Sequence, residues 1–185
     1  MGMANRQKSK GDIGEREALA KLRELISDLL VDGNDRAKSA GIPHDRGDLH
    51  ALDDTSIQVK HWGADSLGRA LLAAAFGAEL QATAAHKPHS LGMSSISGAP
   101  KAGVRWLASM TQAEAEHLGL IPVVEFKSIT PLRAWITDDR GPTGYLTHPR
   151  HERVCLFTSR GRSIVVAPIE AWAHRYEARR MVRAS

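Results

Sequence analysis

With a single cysteine, Cys155, the chain can form no internal disulfide and no cysteine-rich zinc site. That thiol lies in the apolar run Val154-Cys-Leu-Phe157, the setting of a buried structural cysteine in a reducing compartment. No segment approaches the roughly 20 apolar residues needed to span a bilayer. Residues 1 to 10 are polar and basic and lack the apolar centre of a secretion signal, so a soluble, cytoplasmic protein without membrane contact is expected. No internal repeat of convincing period occurs. Hydrophobic residues at 42% and charged residues at 25% exclude wholesale disorder, and 185 residues suit one domain with extensions rather than two domains.

The charge balance is mildly basic, with 25 Lys and Arg against 21 acids and a pI near 9.5. This favours a polyanionic partner without specifying one. The bias towards Ala, Arg, Asp and Gly fits a high-GC bacterial or bacteriophage source, in which case the compartment is the bacterial cell or the host cytoplasm.

Along the chain, residues 1 to 10 read as a flexible basic arm. Asp12 and Glu15 have the spacing of a capping box that opens a helix to about Val31, stopped by Asp32-Gly33. Residues 34 to 47 read as a loop. Asp48 to Leu52 and Ser56 to His61 alternate apolar with polar positions around Asp53-Asp-Thr55, a hairpin pattern. An Ala/Leu-rich helix, capped by Asp65 or Ser66, runs to about Ala85, and its nearly all-round apolarity predicts burial against a sheet. Residues 86 to 103 are rich in Ser, Gly, Pro and Lys and read as a mobile loop, followed by a short helix over 111 to 118. Strands are expected at 121 to 127 and 132 to 137. A terminal hairpin, Val154 to Thr158 and Ser163 to Ala167, brackets Arg160-Gly-Arg162, and a last helix starts at Pro168.

Three stretches carry a pattern together. Lys10-Gly-Asp-Ile-Gly-Glu15-Arg16 resembles the Lys-Gly-x-x-x-Glu-Arg opening of archaeal-type Holliday junction resolvases. Arg46-Gly-Asp48-Leu-His-Ala51 is similar to their Asp-bearing strand, and Ile57-Gln-Val-Lys60 stands in the place of their Ile-Glu-Cys-Lys. Gly119 to Lys127 and Trp135 resemble the family's later Gly-x-x-Pro strand and the tryptophan strand behind it. The resemblance spans about residues 8 to 137. It implies the α/β restriction-endonuclease-like, PD-(D/E)XK fold: a central mixed sheet flanked by helices over 11 to 137, with 138 to 185 as a hairpin-helix extension.

The same resemblance implies a Mg²⁺-dependent endonuclease, with Mn²⁺ able to substitute. Hydrolysis of a phosphodiester needs an activated water and countercharge for an anionic transition state, and Mg²⁺, a hard ion with oxygen ligands, supplies both. Asp48 is then the central metal ligand, Glu15 reaches in from the helix, and the Gln58 side-chain oxygen and Val59 carbonyl complete the protein's share. Lys60 positions or activates the water and stabilises charge at phosphorus. A 100° period puts Glu15 on one stripe with Leu19, Leu22 and Ile26, facing the sheet, and Glu17 towards solvent. A two-residue hairpin loop would put Asp48 opposite Val59 and on the wrong face, whereas a three-residue loop of Asp53, Asp54 and Thr55, or a bulge, pairs it with Lys60.

This chain departs from the family at Gln58, where a neutral amide stands for a carboxylate and lowers the charge of the site by one. Arg16, Arg36, Lys38, Ser39 and Lys127 are candidate DNA contacts, although loop charges at 36 and 38 would look the same if merely solvated. Arg175, Arg179 and Arg183 recur at i, i+4, as a basic face or a solvated terminus. His44, His50 and His61 match no zinc motif and suggest at most a supporting hydrogen bond. A junction resolvase cuts two strands symmetrically, which implies a homodimer on branched or duplex DNA. Two other readings stay open: a restriction-like or repair nuclease of the same fold, and a non-catalytic DNA-binding module with a degraded metal site.

Overall fold

The computed structural model describes residues 3–31, 49–96, 106–137 and 153–184. It is an α/β structure whose helices flank a six-stranded mixed sheet. Helix α1 spans Met3–Ile26, β1 Thr55–Lys60, α2 Leu67–Ala84, β2 His89–Ser95, β3 Trp106–Met110, α3 Gln112–Leu118, β4 Val124–Phe126, α4 Ile129–Thr137, β5 Cys155–Ser159, β6 Arg162–Pro168 and α5 Ile169–Ala184. The strand order is β1-β2-β3-β6-β5-β4, with β1 parallel to β2, β4 parallel to β5, and the remaining neighbours antiparallel. Among the described residues no helix is long and apolar enough to cross a membrane.

Helix α1 forms because Ala18, Leu22 and Ile26 recur every four residues with Leu19 beside them, and all four are buried. It starts at Met3, inside the stretch expected to be an arm, and ends at Ile26, where Ser27–Leu29 tighten into a 3₁₀ turn. Lys21 of α1 ties it to α5, with Nζ 3.0 Å from both Glu24 and Glu170. Residues 15 and 17 lie about 80° to either side of the buried line through 14 and 18. Glu15 and Glu17 are accordingly both half-buried, which corrects the expectation that Glu17 faces solvent.

The central strand β2 corrects a second expectation. The Ser/Gly composition of 86 to 103 reads as a loop, yet His89–Ser95 is buried throughout and pairs with both β1 and β3. Its small residues are there because α2 lies directly on it. A Cβ at Gly92 would stand 2.6 Å from the Ala74 carbonyl carbon and 2.7 Å from the Ala75 nitrogen. Ser109 of the next strand donates its hydroxyl to the Leu71 carbonyl at 3.1 Å, another close helix–sheet contact.

Two strand expectations after residue 120 also change. Only Val124–Phe126 is extended, as a short edge strand, and the stretch read as a tryptophan strand is helix α4. Pro131 sits in the first turn of α4, where its missing N–H costs nothing, and Leu132 and Ile136 are buried one turn apart. Strand β3 over 106 to 110 has no counterpart in the expected elements. The stretch 138 to 185, read as an extension, supplies β5, β6 and α5, and β6 pairs with β3 within the same sheet. The terminal hairpin itself is as expected, with Arg160 and Gly161 at φ 51 and 74 in its turn.

Apolar side chains close the two faces separately. On one face α1, α3 and α5 cover Ile57, Val59, Leu91, Met93, Trp106, Ala108 and Val165, around the stacked pair Trp172 and Tyr176. On the other, α2 and α4 cover Leu107, Cys155, Phe157, Ile164 and Val166. Burial pushes the Cys155 thiol up to about 12, as befits an inert structural cysteine.

Candidate functional site

The proposed catalytic residues of the sequence gather unevenly around β1. The strand is anchored at its start: the Asp54 carboxylate accepts hydrogen bonds from Tyr176 at 2.5 Å and Thr55 at 2.9 Å, and Arg180 lies 3.5 Å away. Burial pulls the Asp54 pKa up, but these hydrogen bonds and the charges of Arg180 and His89 outweigh it and hold the carboxyl below its ordinary value. The same burial, with the Asp54 hydrogen bond, pushes Tyr176 up to about 12. Lys87 adds hydrogen bonds from Nζ to the Leu52 and Thr55 carbonyls at 2.6 and 3.1 Å.

Before β1, Leu49 bridges Ile57 in antiparallel sense. A three-residue loop would set Leu49 opposite Val59, so the observed pairing slips by two positions and keeps the same face. Leu49, Ile57 and Val59 share the α1 side of the sheet, where all three are buried. Asp48, Arg36, Lys38, Ser39 and His44 lie outside the described residues.

At the other end of β1, α1 delivers Glu15. Gly14 packs so closely on His61 that no Cβ fits between them. His61 is fixed in turn by a 2.8 Å hydrogen bond between its Nδ1 and the Ser95 hydroxyl, and its ring stands 6.3 Å from Trp106. The contact puts Glu15, next in sequence to Gly14, beside the end of the strand on which Lys60 is the last residue. Lys60 is half-buried there, and Arg16 is exposed on α1.

Gln58 points the other way. Its side chain is only 6% exposed and lies under α2, with Oε1 3.1 Å from where a Cβ at Gly77 would be. Alternation along the strand puts Lys60 on that face too. Glu15 and Gln58 therefore approach β1 from opposite sides. Among the described residues no group of three or more His, Cys, Asp or Glu is arranged to hold a metal ion. Oxygen donors at Glu15 and Gln58 suit Mg²⁺ in kind, but they do not form a site between themselves, and Asp48 is the residue that would have to join them.

A second feature was not legible as a site. The chain leaving β1 passes Trp62 and enters α2, which crosses the sheet obliquely: Gly68 meets Phe157 of β5, Ala74 lies over β2, and Gly77 lies over β1. Between the start of α2 and the β5–β6 turn is a cleft of about 720 Å³, edged by Arg69, Lys127, Arg160 and Arg162. Lys127, a candidate DNA contact, belongs here, at the β4 edge of the sheet rather than beside β1. The Arg160-Gly-Arg162 turn was readable as a turn, but its proximity to Arg69 and Trp62 depends on how α2 crosses the sheet. Comparison with protein families, curated proteins and solved structures finds no match.

Proposed function

We propose that this chain is a divalent-metal-dependent endonuclease of the PD-(D/E)XK type that hydrolyses DNA phosphodiesters, with a four-way junction as its preferred substrate. The observation that carries the reading is the packing of Gly14 on His61, which brings Glu15 to the end of the strand bearing Gln58-Val59-Lys60. The order around it supports the same reading: a helix with an acid, an antiparallel bridge just after Asp48, the Gln-x-Lys strand, a helix, and a parallel strand.

A bound Mg²⁺, or Mn²⁺ in its place, would supply a nucleophilic water and countercharge at phosphorus. Asp48, Glu15, the Gln58 amide oxygen and the Val59 carbonyl are the groups that would hold it. Lys60 is the cation that would lie against the scissile phosphate and offset charge developing there. His61 is a positioning residue, since its bond to Ser95 fixes the surface on which α1 rests. Symmetric cutting would need a homodimer.

One observation favours a second reading. Gln58 is buried beneath Gly77, as a structural amide would be, and this suits a DNA-binding module whose metal site has decayed. The two readings separate on incubation of the purified chain with a labelled immobile junction and a matched linear duplex, in Mg²⁺, Mn²⁺ or EDTA. Paired nicks in the junction are expected with either metal and not with EDTA. Asp48→Ala should abolish them, and Lys60→Ala should slow them by roughly 10²–10⁴. Equal cutting of the duplex would indicate a restriction-like or repair nuclease, and metal-independent binding without cleavage would leave the binding module.

A further inference from the structure

We infer that the cleft between the start of α2 and the β5–β6 turn binds a single-stranded segment of nucleic acid, with phosphates on its cationic rim and a base against Trp62. Four cations, Arg69, Lys127, Arg160 and Arg162, edge it against one carboxylate, Asp65. The rim is already shaped. Arg160 and Gly161 take left-handed backbone at φ 51 and 74, which turns the chain tightly between β5 and β6. The Arg162 guanidinium stands 5.4 Å over the Phe76 ring, and Arg69 donates to the Ser66 hydroxyl at 2.8 Å. Both arginines are therefore oriented before any ligand arrives, which reduces the entropy lost on binding.

Trp62 adds an aromatic surface to this rim and is 41% exposed although it is among the largest apolar side chains. A cation-edged groove with an accessible indole is the combination that binds single strands, because an unpaired base offers its π-face and a duplex does not. At about 720 Å³ the cleft is of a size for one or two unstacked nucleotides. Trp62 lies two residues beyond Lys60, so a strand held here would continue towards the end of β1. That this strand is the unpaired part of a branched substrate rests on the nuclease reading. The binding itself does not.

The test is fluorescence anisotropy of a labelled oligothymidylate of roughly a dozen nucleotides, titrated with the full chain across a salt series. Trp62→Ala is expected to weaken binding about tenfold, and Trp62→Phe to restore most of the loss, since the phenyl ring still stacks. The double variant Arg160→Asn, Arg162→Gln should weaken binding and lower the salt slope by about 1.4, from two lost phosphate contacts at about 0.7 each. Asparagine at 160 tolerates the left-handed backbone, and all three positions are on the surface, so melting temperatures should be unchanged. Binding by these variants equal to wild type, or equal displacement by polyglutamate of matched charge, overturns the inference. Oligothymidylate binding that the cleft variants lose, in a chain that cuts no DNA, would sink the nuclease and leave the cleft. Metal-dependent cutting with cleft variants that bind normally would do the reverse.

Discussion

The two faces of the sheet are built on different principles. The α1/α5 face is closed by large apolar side chains, with Trp172 and Tyr176 stacked at 4.9 Å and Trp106 buried. On the α2 face Phe157, Ile164 and Val166 fill one half, but over β1 and β2 it uses Gly, Ala and Ser, which let the helix backbone approach the strands and leave Gln58 and Ser109 among its buried groups. Large side chains fill volume and tolerate little loss, whereas small ones fix distance and tolerate little gain. The face with small residues is also the one carrying the cationic cleft. Both faces thus carry an apolar core, and the α2 face combines its core with buried polar groups.

The sharpest way to break this contrast is Trp172→Ala. It should cost about 3–5 kcal/mol in denaturant unfolding, because the indole is buried and its neighbours cannot collapse into the space. A loss under about 1 kcal/mol would show that the α5 face is not the main source of stability. Gly92→Ala tests the opposite face by addition. Its Cβ meets helix backbone at Ala74 and Ala75 as well as the Ser109 hydroxyl, and the backbone cannot move aside, so about 3 kcal/mol is expected, at the upper end of overpacking costs. A neutral result would mean that α2 shifts freely on the sheet.

Tyr176→Phe is the third in size, at about 2 kcal/mol near neutral pH, since it removes a donor from a carboxylate. It also has a pH signature. Asp54 has its folded-state pKa depressed, so it binds fewer protons folded than unfolded, and its stabilisation is present above the unfolded value of about 4. That part is lost as pH falls through the lower folded value. Urea melts from neutral to acid pH should show a smaller acid loss in Tyr176→Phe than in wild type. Parallel curves would remove Asp54 as the cause.

Gly77→Ala should have the smallest effect on stability, under about 1 kcal/mol. The Cβ approaches only the end of the Gln58 side chain, and alanine favours a helix interior by a similar amount. It displaces the Gln58 amide nonetheless. A change in junction cleavage without a change in melting would place Gln58 in the active site. No change in either would support its role as a packed structural amide.

Periodicity in the sequence was sufficient for α1, α2, α3, the terminal hairpin and α5, because each carries its own apolar pattern or turn chemistry. It failed for β2 and α4 for identifiable reasons. His89–Ser95 lacks the bulk expected of a central strand because the helix above it takes the space. The stretch Ile129–Thr137 is apolar at helical spacing, but its β-branched and aromatic residues suggested a strand. The proposed site was legible as residue types along the chain, from Glu15 through Gln58 to Lys60. That Glu15 and Gln58 meet β1 from opposite faces was not, since side-chain direction depends on which helix covers each face.

The sequence by itself therefore determined most of the helices and the terminal hairpin, the inert cysteine and the chemistry on offer: acids, an amide and a lysine suited to a hard cation and a phosphate. Tertiary structure alone decided that residues 155 to 184 complete the sheet, that Gly14 and His61 bring α1 to the end of β1, and that Trp62 and four cations share one cleft. The physical reason is range. Helix and turn preferences act over a few residues, whereas strand order and the crossing of α2 are set by how non-local apolar faces find one another.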